Sequence, residues 1–244
     1  MEKEKINISI VSHNQASIIK DLLIDLGKFD FFDKILITIN TNEDISELKK
    51  FETLPTKFII NDKVKGFGKN HNYAFASNPS DYFIIINPDV RINNMNFNNL
   101  IKYFNDTNVY LLSPKAVDEN DCIQDNARKF PTILTPFLRR ISFFRKNKYP
   151  ESLDYNDVDW VSGMFMLVKS REFKKIGMFD EKFFMYYEDI DLCKRIKNSN
   201  GKILRINTEK VIHVGQHKSH VNLKYLGIHV KSMLYYNLKY FLRL

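Results

Sequence analysis

Segment 177–192 sets Glu188, Asp189 and Asp191 within four residues, directly behind a loop carrying Phe183, Phe184, Tyr186 and Tyr187. Apolar rings around carboxylates raise the cost of ionisation and move one of them toward general-base work. Asp189 is the first candidate base. The same acids also complement the macrodipole of a helix running to about residue 198, with Ile190, Leu192, Cys193 and Ile196 as its apolar stripe. Both readings hold at once, because the first turn of such a helix projects Glu188 and Asp189 toward whatever lies above it.

A second acid stands after the apolar run 82–86, which stops at Asn87-Pro88 because proline cannot continue a central ladder. Asp89 is thereby placed at the carboxyl end of an interior strand, the edge where open α/β sheets bind ligands. A hard oxygen ligand there suits Mg²⁺ or Mn²⁺, which takes one or two carboxylates and completes its shell with substrate phosphates. As a bare tripeptide, Asn-Pro-Asp also reads as a turn.

The elements that must position these acids alternate between strand and helix. Strands are expected over 6–11, 34–39 and 57–60, with a helix over 15–27 and another between Gly66-Phe67-Gly68 and the Tyr82 strand. That alternation implies an α/β fold with a mostly parallel central sheet, helices on both faces, and polar loops delivered to one edge: Ser12-His13-Asn14, Asn40-Thr41-Asn42 and Gly66 to Asn72.

Taken in order, Ser12-His13-Asn14, Gly66-Phe67-Gly68 with Asn70 and Asn72, Asn87-Pro88-Asp89, Arg128-Lys129-Phe130-Pro131, Trp160-Val161-Ser162-Gly163, the segment 177–191 and His213 with Ser219 run through nearly the whole chain. In that order and spacing the chain resembles the family 2 inverting glycosyltransferases of the GT-A fold, especially the branch with bacterial rhamnosyltransferases of O-antigen and capsule assembly. The resemblance implies a Rossmann-like GT-A domain over 1–222, with a donor half at 1–117 and an acceptor and catalytic half at 118–222, followed by an amphipathic C-terminal helix at 223–244. It implies Asp189 as catalytic base and Asp89 with His213 at a Mn²⁺ or Mg²⁺ ion. Ser12, His13, Asn14, Asn40, Gly66, Phe67, Asn70, Asn87, Asp89 and Arg128 would face a dTDP- or UDP-sugar donor. Trp160, Gly163 and Glu188 would face a glycan or polyprenyl-linked acceptor.

The chemistry requires these types. A nucleoside diphosphate leaves with concentrated negative charge that a divalent cation screens, and the acceptor hydroxyl needs a carboxylate to take its proton. One base and one metal site imply direct displacement with inversion, in contrast to the paired carboxylates of hydrolases. The chain departs from the family pattern at the end of the second strand, where Ile39 and Asn40 replace a frequent aspartate. Lys69 and His71 stand where small residues are common, and Gly66-Phe67-Gly68 lacks the third glycine of a dinucleotide fingerprint.

At 244 residues and 44% hydrophobic content the chain can bury one full core, and no linker or repeat divides it. The net charge of +8 calls for an anionic partner. Basic residues are dispersed, and no zinc-finger or RNA-binding motif is present, so nucleic acid is excluded in favour of a nucleotide diphosphate or an anionic membrane surface. Stretch 117–159 interleaves Arg139, Arg140, Arg145, Lys146 and Lys148 with Phe137, Leu138, Phe143 and Phe144, as in a basic amphipathic helix on the acceptor side or a solvated surface helix. Segment 223–244 is too often interrupted by charge to span a bilayer, and reads as a helix closing the fold or lying at an interface. Cys122 and Cys193 form no framework, and residues 1–5 lead directly into a strand, which fits the cytoplasm or the inner face of its membrane. Two other classes share the fold-level features: a nucleotide-sugar-binding scaffold without activity, and a nucleotidyltransferase.

Overall fold

The structure, a computed structural model, describes residues 4–131, 149–215 and 223–241. Residues 132–148 of the basic stretch expected between 117 and 159, together with Ser219 and Arg243, lie outside the described residues.

The elements follow in the order β1 (Ile6–Ser12), α1 (Ala16–Leu26), β2 (Lys34–Ile39), α2 (Ser46–Lys49), β3 (Thr56–Ile60), α3 (Phe67–Ser77), β4 (Tyr82–Ile86), β5 (Val90–Arg91), α4 (Phe97–Lys102) and β6 (Val109–Val117). After these come β7 (Ala127–Arg128), β8 (Tyr155–Asp157), β9 (Trp160–Val161), β10 (Phe165–Lys169), α5 (Ser170–Lys175), α6 (Glu188–Asn198), β11 (Lys202–His213) and α7 (Leu223–Phe241). The nine-stranded sheet has the order β3-β2-β1-β4-β10-β6-β11-β5, with β8 also on β11. β3, β2, β1 and β4 are parallel, as the alternation of elements predicts. β10 enters antiparallel between β4 and β6, so the sheet is mixed beyond its parallel half. The Trp160 strand lies outside this sheet and pairs β7 in a two-stranded ribbon.

The order of strand addition reverses between the parallel neighbours β1 and β4, so the carboxyl ends of these adjacent strands open a crevice at the switch point. Ser12-His13-Asn14 and Asn87-Pro88-Asp89 border it. On one face, Ile6, Ile8 and Ile10 of β1 pack with Ile84, Ile86 and the Leu22-Leu23 side of α1. On the other, Phe83 and Ile85 pack with Phe75, Phe173 and Leu192. Strand alternation turns Asn7 and Ser9 toward α3, where Asn7 Nδ2 donates to the Asn78 carbonyl (2.9 Å) and Ser9 Oγ meets His71 Nδ1 (2.8 Å). His71 is fully enclosed, and burial lowers its pKa to about 3, so it is a neutral core residue of α3.

One buried ion pair fixes where the Asp89 loop leaves the crevice. Asp25 on α1 is completely buried and accepts from Arg91 Nε (2.6 Å), Arg91 Nη2 (3.1 Å), Lys28 Nζ (2.9 Å) and the Ile92 N–H (3.1 Å). Burial pushes its pKa up, and the hydrogen bonds from Arg91, Lys28 and Ile92 outweigh that and leave it lowered. Arg91→Ala removes two of the four hydrogen bonds to this carboxylate and leaves Lys28 and the Ile92 N–H. It is expected to cost about 2–3 kcal/mol in urea unfolding, less than for a fully enclosed pair because Arg91 is partly solvated. A loss under ~0.5 kcal/mol would remove the pair from the list of fold determinants.

Candidate active site

Segment 177–187 runs over the amino-terminal end of α3 before α6 begins. The approach is close: a Cβ on Gly66 would stand 2.6 Å from the Phe184 carbonyl oxygen, and one on Gly68 would stand 2.6 Å from Phe179 Cβ. These glycines therefore serve backbone packing. The Phe67 N–H donates to the Phe184 carbonyl (2.8 Å), and Asn72 grips Phe179 through both its N–H (3.0 Å) and its carbonyl (2.9 Å). Phe67 packs on His71 and Phe179. Asn70, buried in α3, accepts from Asn61 Nδ2 (2.7 Å) and donates to the Lys65 carbonyl (3.2 Å). Gly66, Phe67 and Asn70, expected at the donor, hold the 177–187 segment and its neighbouring loop. Lys69 pairs with Glu181 (3.1 Å) at the surface.

Met178, Tyr186 and Tyr187 all take positive φ, at 58°, 69° and 69°. For bulky residues this conformation persists only where surroundings impose it. They do so here: the Ser232 hydroxyl of α7 donates to the Met185 carbonyl (2.7 Å), and Arg195 donates to the carbonyls of Ile176 and Met178 (2.5 and 2.6 Å). The strained turn delivers Glu188, Asp189 and Asp191 to the first turn of α6 in three different environments.

Asp189 stands at the crevice, its Oδ2 accepting from the Gly163 N–H (3.1 Å) and its Oδ1 from the Ile190 N–H (2.8 Å). Burial raises its proton affinity, while those two N–H groups and the charge of Arg128 hold the rise in check. Glu188 is buried, with Oε2 lacking a hydrogen-bond partner. Burial, reinforced by the neighbouring Asp189 charge, drives its pKa well up. Asp191 is fully buried and ion-paired with Arg195 (2.9 Å) and Lys239 (2.7 Å).

Arg128, on β7, donates from Nε to Asp125 (2.8 Å) and lies over the Trp160 ring at 5.3 Å. Trp160 is buried and anchored by its Nε1 on the Lys129 carbonyl (3.0 Å), so it forms the floor beneath Arg128. Gly163 leaves room for Phe67, whose ring tip would stand 3.2 Å from an added Cβ.

Asp89 and His213 meet across the crevice: His213 Nε2 lies 3.5 Å from Asp89 Oδ2. Gln124 fixes the histidine, its Oε1 on Nδ1 (2.7 Å) and its Nε2 on the His213 carbonyl (3.0 Å). With Nδ1 turned to Gln124, Nε2 is the ring nitrogen that faces the carboxylate. Asp89 Oδ1 is buried without a hydrogen-bond partner. An orphaned carboxylate oxygen beside an oriented imidazole fits a divalent cation, although no group of three or more His, Cys, Asp or Glu suited to a metal occurs among the described residues. Sequence reading missed Gln124, because its partner is 89 positions away and no local pattern marks it. The two acidic sites are mechanically joined, since the Asn87 N–H donates to the Met164 carbonyl (2.9 Å) and the adjoining Gly163 binds Asp189.

The loop after β1 is braced by the loop after β2. Ser12 is buried and accepts from the Gln15 N–H (3.2 Å), His13 is exposed, and Asn14 exchanges hydrogen bonds with Thr41. Glu43 accepts from the N–H groups of Asn14, Gln15 and Ala16 and so caps α1. Asn40 is locked by Lys65 N–H (2.8 Å), Lys65 carbonyl (2.9 Å) and Asn61 (2.9 Å). Beside it a cavity of about 320 Å³ opens at the ends of β2 and β3, lined by Ile39, Asn40, Thr41, Asn42, Ile60 and Asn61 among others.

No family model matches the chain. It is 34% identical over 226 residues to the rhamnosyltransferase WbbL of Escherichia coli K12, covering 86% of this chain and 83% of that protein. It is 27% identical over 166 residues to the N-acetylglucosaminyl-diphospho-decaprenol L-rhamnosyltransferase of Mycobacterium tuberculosis, covering 62% of this chain and 53% of that protein. Among solved structures, GalNAc-T7 with UDP, GalNAc and Mn²⁺ superposes with a TM-score of 0.69 at 14% identity, over 88% of this chain and 44% of that one. The mannosyltransferase PcManGT of Pyrobaculum calidifontis, solved with GDP-Man and Mn²⁺, gives 0.66 at 13% identity, over 90% of this chain and 59% of that one. These structures share the GT-A fold. With a crevice at the switch point, a poised aspartate and this extent of identity, the chain belongs to the family 2 glycosyltransferases, in their rhamnosyltransferase-like branch, and is a glycosyltransferase.

Proposed function

We propose that the chain is an inverting, metal-dependent transferase that moves a sugar, rhamnose by its relatives, from a dTDP- or UDP-sugar to a glycan or polyprenyl-linked acceptor of surface polysaccharide assembly. The observation that carries this reading is the division of surroundings in the 188–191 turn: Glu188 enclosed with Oε2 unpartnered, Asp191 paired with Arg195 and Lys239, and Asp189 held by the Gly163 and Ile190 N–H groups at the crevice. A single free carboxylate of raised basicity suits removal of the acceptor hydroxyl proton as the oxygen attacks the anomeric carbon. The bond from that carbon to the diphosphate then breaks on the opposite face, which inverts the centre.

Asp89 and His213 are the residues that would hold a divalent cation, and the cation would supply charge screening for the departing diphosphate. Arg128, held over Trp160, is proposed to meet a phosphate with its guanidinium fork. Ser12, His13, Asn14 and Asn40 line the donor side, and the cavity beside Asn40 is of a size for a nucleoside base. Its neutral amides there replace the frequent aspartate of the family. The decaprenol-linked acceptor in a relative's name supports a lipid-linked acceptor here. A scaffold without activity is disfavoured by the orientation of Asp189, which two backbone N–H groups maintain.

Transfer assays on the purified chain with a panel of nucleotide sugars test the reading. Asp189→Asn should lower kcat at least ~100-fold with donor affinity unchanged, and a variant keeping half the wild-type rate would refute the base.

Asp89→Ala should abolish the dependence of donor affinity on Mn²⁺ in calorimetry. Equal Mn²⁺ enhancement in wild type and variant would overturn the metal assignment.

The acid limb of kcat/KM should report Asp189, with activity lost as pH falls through its raised pKa, because only the ionised form accepts a proton. Arg128 lowers that pKa, so Arg128→Gln should move the acid limb to higher pH, while Arg128→Lys keeps the limb and loses rate. An unmoved limb in Arg128→Gln would separate Arg128 from the base.

A further inference from the structure

Helix α7 is amphipathic in the reverse sense to an ordinary surface helix. Its inward face is polar and aromatic. Ser232 and Tyr236 are buried, Tyr235 donates to Asp180 (2.9 Å), Tyr240 donates to Asp191 (2.7 Å), and Lys239 reaches both carboxylates (2.7 Å each). Its outward face carries Leu223, Leu226, Val230, Leu234, Leu238 and Phe241, each between 40% and 78% exposed. Their spacing of three or four residues sets them in one stripe along the 19-residue helix, roughly 27 Å long. A folded chain normally turns such a stripe inward, and a continuous exposed one marks a contact surface.

Charge selects the occupant. Lys224 and Lys231 are exposed and flank the stripe on one side, and α7 contains no acidic residue. A second copy of this face would bring lysine against lysine, and segment 132–148 of the chain is itself basic and free of acids. Anionic phosphates in a plane complement the lysines, and acyl chains beneath them accept the leucines. No described helix is long and apolar enough to cross a membrane, which leaves a helix lying flat in the interface.

We propose that the outward face of α7 docks on an anionic lipid bilayer and, through its bonds to Met185, Asp180 and Asp191, seats the catalytic turn at the membrane surface. Docking stands on the helix alone; its use in meeting a lipid-linked acceptor rests on the transferase reading above.

The test is flotation of the full chain with vesicles of phosphatidylcholine containing one part in three, roughly, of phosphatidylglycerol, against pure phosphatidylcholine, at low and high salt. Wild type should float with the anionic vesicles and dissociate as salt rises. Leu234→Gln with Leu238→Gln should weaken binding at least ~10-fold while leaving the melting temperature unchanged, since both side chains face outward. Lys224→Glu with Lys231→Glu should lower affinity for anionic vesicles by about 5-fold per lysine. Asp189→Asn should float like wild type, so a failure of docking and a failure of the base assignment are separable. Wild type that ignores anionic vesicles at low salt overturns the proposal, as does a leucine variant that binds undiminished. A dimer in light scattering that the leucine variant dissociates would assign the face to a second copy instead.

Discussion

The carboxylate of Asp191 is the fixed point of the site. It is fully buried and bonded to Arg195, Tyr240 and Lys239, which tie α6 to α7. Arg195 extends the same network to the carbonyls of Ile176 and Met178, and Lys239 extends it to Asp180. A buried charge with this many donors is costly to disturb, because any displacement leaves a carboxylate or a cation unpaired in the interior. That cost is what holds Tyr186 and Tyr187 at positive φ, and it fixes Asp189 two residues away. The C-terminal helix is consequently part of the support of the 188–191 turn.

Three acids in one turn would repel one another if all were ionised. The structure resolves the conflict by giving each a different environment: cations for Asp191, backbone N–H groups and a nearby arginine for Asp189, and an apolar enclosure for Glu188. Neutralising Glu188 is cheaper than desolvating its charge beside Asp189. Separating proton affinities in this way lets neighbouring carboxyl groups take different roles.

The crevice joins two halves of the fold through one short strand entry. β10 runs antiparallel between β4 and β6, and its lead-in residues Gly163 and Met164 contact Asp189 and Asn87. A shift at β4 is therefore felt at Asp189, and a shift at α6 is felt beside Asp89. On the far side, Gln124 orients the His213 ring while Asp25 and Arg91 secure the exit from the Asp89 loop.

Periodicity and strand-ending residues in the sequence determined the parallel half of the sheet, the edge to which the polar loops run, and the candidacy of Asp189 and Asp89. Those features are local: a run of isoleucines ended by Asn87-Pro88, or acids at a helix start, has few ways to fold. Tertiary structure alone decided the different surroundings of Glu188, Asp189 and Asp191, because the deciding partners, Gly163, Arg128 and Lys239, come from distant elements. It also gave Gly66, Gly68 and Asn72 their packing tasks against 179–184 and paired His213 with Gln124. The leucines of α7 face outward for the same reason. The half-buried Asp180 and the buried Asp191, reached by Tyr235, Lys239 and Tyr240, with the Ser232 bond to Met185, determine which face turns inward.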